Sequence, residues 1–463
     1  MQMVYGLEVN SGNKKWSRWP EIVSGGRAFW YWAIAFGILI PMSIDNLWSL
    51  DWRSYTFRSN YLFVLILGCC FLGNLVLGAA PARAQFKSWF TQGTCWAWIG
   101  MLAVGLIGLS ISEHPKRTVV FLIWSACTFL GIPLLNRFLF SKIPLRSFLN
   151  VFSIYCLFQA SLILLDGLLC WMSNGAEFIG RVMIYTAPGR NLCRPHAFYQ
   201  EPGYYCGFAA LAWVLIWLSW RKDLGLSKTW VRIRLLTLGL LGVSTIVTTS
   251  RLGLIVFFAI SLLLGSAWII DQWKSRRILR LAWVGVAVVL GGWSFGKMTG
   301  HFPGPVYDHF IRAIFQPGGD GSIGYRSLRI QASFDVFKES PWVGVGPGGA
   351  GAYLVEHFPN HPVFLGRFAE EATVFRSDPL AMSYYLELLT DWGLVGSFLF
   401  ILGFVLWFRD FTRFERTLIF ATFALIAITG QTLQRFDFWW VLALIHCCAG
   451  RQEWKISPIK STL

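Results

Sequence analysis

Charged residues are scarce in this chain. Of its 463 residues only 14% are Asp, Glu, Lys or Arg, and the acids are the scarcer sign, 24 against 40. Soluble domains carry roughly 25% charged residues, so the deficit excludes an ordinary soluble enzyme. No CxxC pair and no Cys/His spacing of a metal site occurs, although there are ten cysteines. Most of them sit inside apolar runs and read as small packing residues; Cys193 stands in a polar loop. There is also no DxD motif and no paired carboxylate on an outer loop, and Glu370 and Glu371 are adjacent, so on a helix they diverge. The expectation is therefore chemistry with no metal and no cofactor.

What the chain has in abundance is apolar length. Hydrophobic residues make up 55%, and twelve stretches reach or approach the ~20 residues a helix needs to cross a bilayer. They cover about 28–44, 61–80, 95–112, 118–136, 149–173, 201–220, 234–249, 251–270, 279–296, 381–408, 415–431 and 436–450. The first follows a polar start and lacks a small-residue cleavage site, so it reads as a retained anchor. The fold class is then an all-α polytopic membrane protein of about twelve helices. The chain divides into an N-terminal segment (1–27), helices one to nine (28–296) with a polar outer loop at 174–200, a long loop (297–380), helices ten to twelve (381–450) and a tail (451–463).

The net charge of +16 does not point to nucleic acid, because the basic residues are spread through short segments between apolar runs. Twenty-four of the 40 Lys and Arg fall in one alternating set of short loops, including Arg83, Lys87, Arg137, Arg146 and Arg221. The positive-inside rule puts that set and both termini in the cytoplasm. The long loop then faces outward. It contains amphipathic pieces at Pro305–Phe315 and Gly324–Phe337, which predict a small helical cap on the outer surface.

Four arginines meet the outer side: Arg194, Arg251, Arg326 and Arg329. A guanidinium stays charged and offers a planar fork of donors suited to phosphate oxygens. Singly, each has a plainer account: Arg194 as a headgroup anchor, Arg251 as a turn residue in "TTSRLG", Arg326 and Arg329 as a solvated helix face. Together they point to a lipid-linked phosphate or diphosphate, with membrane lipid headgroups as the other partner. Candidate bases are Glu201 and His196, then His361 and Asp378. Glu201 stands before a helix whose dipole stabilises its carboxylate, which also makes it a plain helix cap. Asp166 is an acid inside an apolar run, costly unless paired or functional. His446 reads as a packing histidine, and "DWGLVG" (Asp391–Gly396) as packing glycines beside an interfacial tryptophan.

Four motifs, in order over about 180–400, resemble the O-antigen ligase/O-antigen polymerase superfamily of membrane glycosyltransferases. They are "RPHAFYQEPGYYCGFAALAW", "TTSRLGLIVFFAISLLLG", "YRSLRIQASFDVFKESPWVGVGPG" and "MSYYLELLTDWGLVG". The resemblance implies transfer of a glycan from undecaprenyl diphosphate to a hydroxyl at the outer face of a bacterial inner membrane. Arg194, Arg251 and Arg326 would hold the diphosphate, with Glu201 as a possible base and Arg329, His196, Tyr199 and Ser250 lining the substrate. The sequence departs from the family pattern at Ala197 and Gly203, and at Met382 and Ser383 where a His-Asn pair is usual. Losing that histidine favours the polymerase branch, with a glycan ligase second and a lipid-linked saccharide transporter third. A polymerase would work with a flippase and a chain-length regulator.

Overall fold

The computed structural model describes residues 49–52, 55–58, 80–140, 144–172, 182–187, 190–195, 202–221, 227–248, 257–265, 321–364, 383–429 and 436–449, with isolated positions between 68 and 76. The described chain is predominantly helical. A short hairpin, β1 (Ser49–Trp52) and β2 (Tyr55–Arg58), comes first. Then follow α1 (Ala80–Phe90), α2 (Gly93–Ile111) and α3 (Pro115–Ala126), which runs through a π-helical turn at Cys127–Gly131 into α4 (Ile132–Phe140). Helix α5 (Leu145–Met172) precedes a second hairpin, β3 (Val182–Ala187) and β4 (Arg190–Pro195). Helices α6 (Pro202–Arg221) and α7 (Lys228–Val247) complete the first part. The long loop contributes α8 (Gly321–Glu339), α9 (Ala350–His357) and a 3₁₀ turn at Pro362–Phe364. Helices α10 (Tyr384–Trp407), α11 (Arg413–Thr429) and α12 (Phe436–Ala449) close the chain.

The hairpins depart from a purely helical fold. The segment 174–200 reads as a polar loop, yet Val182–Ala187 is rich in β-branched and aromatic residues and is followed by Pro188–Gly189. A two-residue connection of that kind favours antiparallel pairing, here with Ala187 opposite Arg190.

Among the described residues, five helices are long and apolar enough to cross a membrane: Gly93–Ile111, Pro115–Arg137, Leu145–Cys170, Lys228–Val247 and Tyr384–Trp407. Shorter apolar helices cover Tyr205–Trp220 and Phe438–Cys448. Twelve spans are thus not established. The expected spans at 28–44 and 279–296 lie outside the described residues, that at 61–80 is described only at isolated positions, and that at 251–270 only at 257–265.

Lipid removes the hydrophobic drive between helices, so contact rests on close packing around small residues. The α2–α10 pair shows this. Gly93 and Gly100 on α2 receive Leu406 and Leu399, while a Cβ on Gly403 would stand 2.4 Å from the Trp98 Nε1. Trp98 is fully buried and packs on Phe129 (centroids 5.7 Å apart) and edge-on against Trp407 at 5.1 Å. Trp439 joins through Phe129 at 5.0 Å. The outward residues are apolar too: Trp96, Leu106 and Ile107 on α2, Phe398 and Ile401 on α10 are all exposed. A folded chain that exposes such residues over several helices is built for an apolar solvent.

The polar contacts gather at the two ends. At one, Arg137 donates to Gln92 Oε1 and meets His446 Nε2, both at 2.7 Å, with its guanidinium over Trp89. Buried Arg234 donates to the Ser219 carbonyl at 3.1 Å and to Asn150 Oδ1 at 3.3 Å. His446 therefore does pack within the bundle, on an arginine. The opposite end holds the C-termini of α2, α5 and α7 and the N-termini of α6 and α10, which alternation along a helical bundle requires.

Replacing Gly403 by Val is expected to cost about 1–3 kcal/mol through overpacking against Trp98. In detergent this should appear as a lowered thermal midpoint, while Phe398→Val on the exposed face should leave the midpoint nearly unchanged.

Candidate functional site

The third and fourth motifs meet at one end of the bundle through main-chain bonds. Between α8 and α9 the chain reads Ser340-Pro-Trp-Val-Gly-Val-Gly-Pro-Gly-Gly349. This strap lies across a break in α10, where Gly393 leaves helical conformation with φ 62°. The Leu394 amide donates to the Pro341 carbonyl at 2.8 Å and the Val395 amide to the Trp342 carbonyl at 3.1 Å. In return the Val345 amide donates to the Thr390 carbonyl at 2.9 Å. Gly344, at φ 73°, faces the Asp391 peptide so closely that a Cβ would stand 2.4 Å from its carbonyl carbon. Gly393 faces the Trp342 peptide at the same 2.4 Å. Both positions need glycine twice over, for the left-handed backbone and for the approach of two main chains.

Asp391 completes the joint. It is 4% exposed, and its carboxylate accepts from the Gly348 amide at 2.7 Å and the Ala350 amide at 3.3 Å. The Ala350 amide is the first of α9 and the Gly348 amide stands just before its N-cap, Gly349, so a carboxylate from α10 caps a helix in the loop and meets its positive dipole end. The glycine-rich strap resembles a phosphate cradle in composition. Its amides are engaged, however: Gly344 with the Ser340 carbonyl, Val345 with Thr390, Gly349 with Gly346, Gly348 and Ala350 with Asp391. These bonds make the strap a positioning element for the loop.

Underneath, α2 gives way to the strap. A Cβ on Gly108 would meet the Gly346 Cα at 3.0 Å, and one on Gly105 would meet Trp392 and Leu122 at 2.6 Å. Trp392 is 2% exposed, so it is a core residue and not the interfacial one the sequence suggests; Trp342 on the strap is the exposed tryptophan. The cap has a small core of its own, Ala332, Val336, Val345, Ala350, Leu354 and Val363. Tyr353 and Phe358 pack against that core.

The first and second motifs also meet. Tyr205, in the first turns of α6, shares a hydrogen bond with Ser244 near the end of α7, and Cys206 Sγ lies 3.2 Å from Thr248 Oγ1. A Cβ on Gly167 of α5 would meet Val247 at 2.7 Å and Pro195 of β4 at 3.4 Å. The hairpin carrying Arg194 thus sits on the same helix ends that lead into Glu201 and Arg251. Asp166, beside Gly167, is fully buried.

The predicted site residues divide as follows. Arg194 is on β4, opposite Met183. Arg326 lies in the first half of α8. Arg329, one turn on, is 7% exposed, so it is no solvated helix face; its carbonyl accepts from Ser333 Oγ at 2.9 Å. Glu201, His196, Tyr199, Ser250 and Arg251 lie outside the described residues, as do Asp378, Glu370, Glu371 and Met382. Helix α6 begins at Pro202, directly after Glu201, and proline suits a first helical position.

His361 has a definite setting. Its Nδ1 accepts from the Val363 amide at 3.1 Å, so the neutral ring carries its proton on Nε2, which lies 3.6 Å from the Asp335 carboxylate. Neither nitrogen offers a free lone pair, which leaves His361 a positioning role within the cap. Sequence reasoning passed over Asp391: its position in the Asp-x-Gly-x-x-Gly motif was visible, but not the amides 40 residues upstream.

With this geometry in place, the comparison with known proteins is informative. Residues 236–401 match the protein family described as O-antigen ligase. This stretch is similar to the O-antigen ligase family. It begins within α7, takes in Arg251, the whole strap and both arginines of α8, and ends within α10. No curated protein matches the chain. The superfamily suggested by the four motifs is thereby supported, and its members are membrane glycosyltransferase-like enzymes.

Breaking the strap should uncouple cap from bundle. Gly393→Ala is expected to lose about 1–2 kcal/mol from the left-handed backbone alone, before the clash with Trp342. Asp391→Asn keeps the shape but weakens two charge-assisted bonds, each worth about 1.5–3 kcal/mol. Limited proteolysis should show faster cleavage within 321–364 in both variants.

Proposed function

We propose that the protein is a polysaccharide polymerase. It would transfer a glycan from undecaprenyl diphosphate to a hydroxyl of another carrier-linked repeat unit, with inversion and without a metal. The observation that carries this reading is the O-antigen ligase match over 236–401, which contains Arg251, Arg326 and Arg329 in a stretch tied to the bundle by the strap.

In this scheme the acceptor oxygen attacks the anomeric carbon from the face opposite the diphosphate. The bond from that carbon to the diphosphate oxygen breaks, and undecaprenyl diphosphate departs with the electron pair. Arg194, Arg251 and Arg326 neutralise the charge that grows on the leaving group, a task fixed cationic donors perform well away from bulk water. The hydroxyl proton passes to Glu201 or to solvent, since Met382 stands where relatives of this pattern place histidine. Long, buried and hydrogen-bonded helix ends around Tyr205, Ser244 and Thr248 support a rigid setting for the first two arginines. A ligase is the second reading, favoured by the family's own description.

Both readings place the site at the outer face of a bacterial inner membrane. Cys170 bears on this. It is disulfide-bonded, so it is not the simple packing thiol expected from its apolar run, and it lies at the end of α5 that carries the site. Disulfides persist in oxidising compartments. Cys170 should therefore resist alkylation in native membranes until reductant is added; ready labelling without reductant would contradict an outward-facing site.

The activity test uses purified full-length protein with a carrier-linked repeat unit in detergent. Wild type is expected to build a ladder of products, and Arg251→Ala and Arg326→Ala to lose at least about two to three orders of magnitude in rate, as for loss of a donor to developing charge. Unchanged ladders in the arginine variants would defeat the diphosphate clamp. Transfer of one unit to a different lipid acceptor, with no ladder, would instead make it a ligase.

A further inference from the structure

Two Glu-His dipeptides, 243 residues apart in sequence, face each other beside the strap. Glu113-His114 follows α2, and Glu356-His357 ends α9. The His357 Nε2 bonds the Glu113 carboxylate, and the His114 Nε2 lies 3.0 Å from Glu356 Oε1. Donor atoms of Glu113, Glu356 and His357 all lie within 4.8 Å of one another. His114 joins this three-residue group through Glu356.

Several features set it apart from a chance surface ion pair. The His114 Nε2 is shielded from solvent and makes no hydrogen bond despite its closeness to Glu356. The carboxylates of Glu113 and Glu356 lie within 4.8 Å of each other, an arrangement that like charges resist unless a proton or cation lies between them. The scaffold is also firm. Ser112 Oγ accepts from the His114 amide at 3.3 Å and shares a 2.8 Å bond with Thr118, and Tyr353 stacks on the His357 ring at 4.1 Å.

We propose that Glu113, His114, Glu356 and His357 bind one divalent transition-metal cation of the zinc type, clamping the cap helix α9 to the α2–α3 turn. Two imidazole nitrogens and two carboxylate oxygens suit zinc, whereas magnesium and calcium prefer all-oxygen sets. Two negative charges and one dication leave the site neutral. The clamp stands beside the Gly108–Gly346 contact, so it would reinforce the strap at its exposed edge. It depends on neither the polymerase nor the ligase reading, because no substrate group enters the site.

The test measures metal alone. Full-length protein without a histidine tag is stripped with chelator in detergent and dialysed against zinc. About one zinc per chain is expected, tight enough to survive a hundredfold excess of magnesium. Cobalt in its place should give the visible absorption of a low-coordinate nitrogen–oxygen site. Glu113→Gln with His357→Gln should weaken zinc at least tenfold, in line with the sensitivity of metal sites to ligand loss. Failure of the wild type to hold stoichiometric zinc, or displacement by equimolar magnesium, overturns the proposal whatever the variants do. Wild-type affinity in the double variant overturns it as well.

Discussion

The contact between two main chains at Gly344 and Gly393 is the constraint on which this end of the bundle depends. A helix that crosses lipid must satisfy its own backbone bonds, and a break in one leaves donors and acceptors exposed in a medium that offers no replacement. Here the break at Gly393 is repaired by the strap, whose Pro341 and Trp342 carbonyls take the Leu394 and Val395 amides. The repair works in both directions. The same kink turns Asp391 toward the strap, where it caps α9. A loop that would otherwise have only a six-residue core is thereby fixed to the membrane bundle.

That coupling gives the arginines of α8 a fixed place. Arg326 and Arg329 sit on the helix that leads directly into the strap, and α8 packs on α10 and α9. On the other side, Arg194 is presented by a hairpin resting on Gly167 of α5, and the approaches to Glu201 and Arg251 are joined through Tyr205–Ser244 and Cys206–Thr248. The four motifs thus form two pairs, each joined by hydrogen bonds, at one end of one bundle. An anionic leaving group needs cationic donors held before it arrives, since reorganising long side chains during reaction forfeits their advantage.

Much of this was legible in the sequence. Apolar length marked the helices now seen at 93–111, 145–172 and 384–407, because a bilayer sets one length scale for all of them. The amphipathic piece at 324–337 foretold the cap helix. Other features were not legible for physical reasons. The hairpin at 182–195 is held by tertiary support from α5 as much as by its turn. Trp392 reads as interfacial in the sequence, yet it is buried where α2 packs at Gly105, while Asp391 is buried against the Gly348 and Ala350 amides. Tyr353 stacks on His357, one turn on in its own helix.

The sequence by itself determined that apolar helices long enough to cross a membrane recur along the chain, and where most of the described helices lie. These follow from solvent transfer and local periodicity, which act within one segment. Only the tertiary structure decided which segments share a site. Asp391 reaching Gly348, Tyr205 reaching Ser244 and Glu113 reaching His357 are contacts across tens to hundreds of residues. No local pattern encodes such partners, because their geometry exists only once the helices have packed around their glycines.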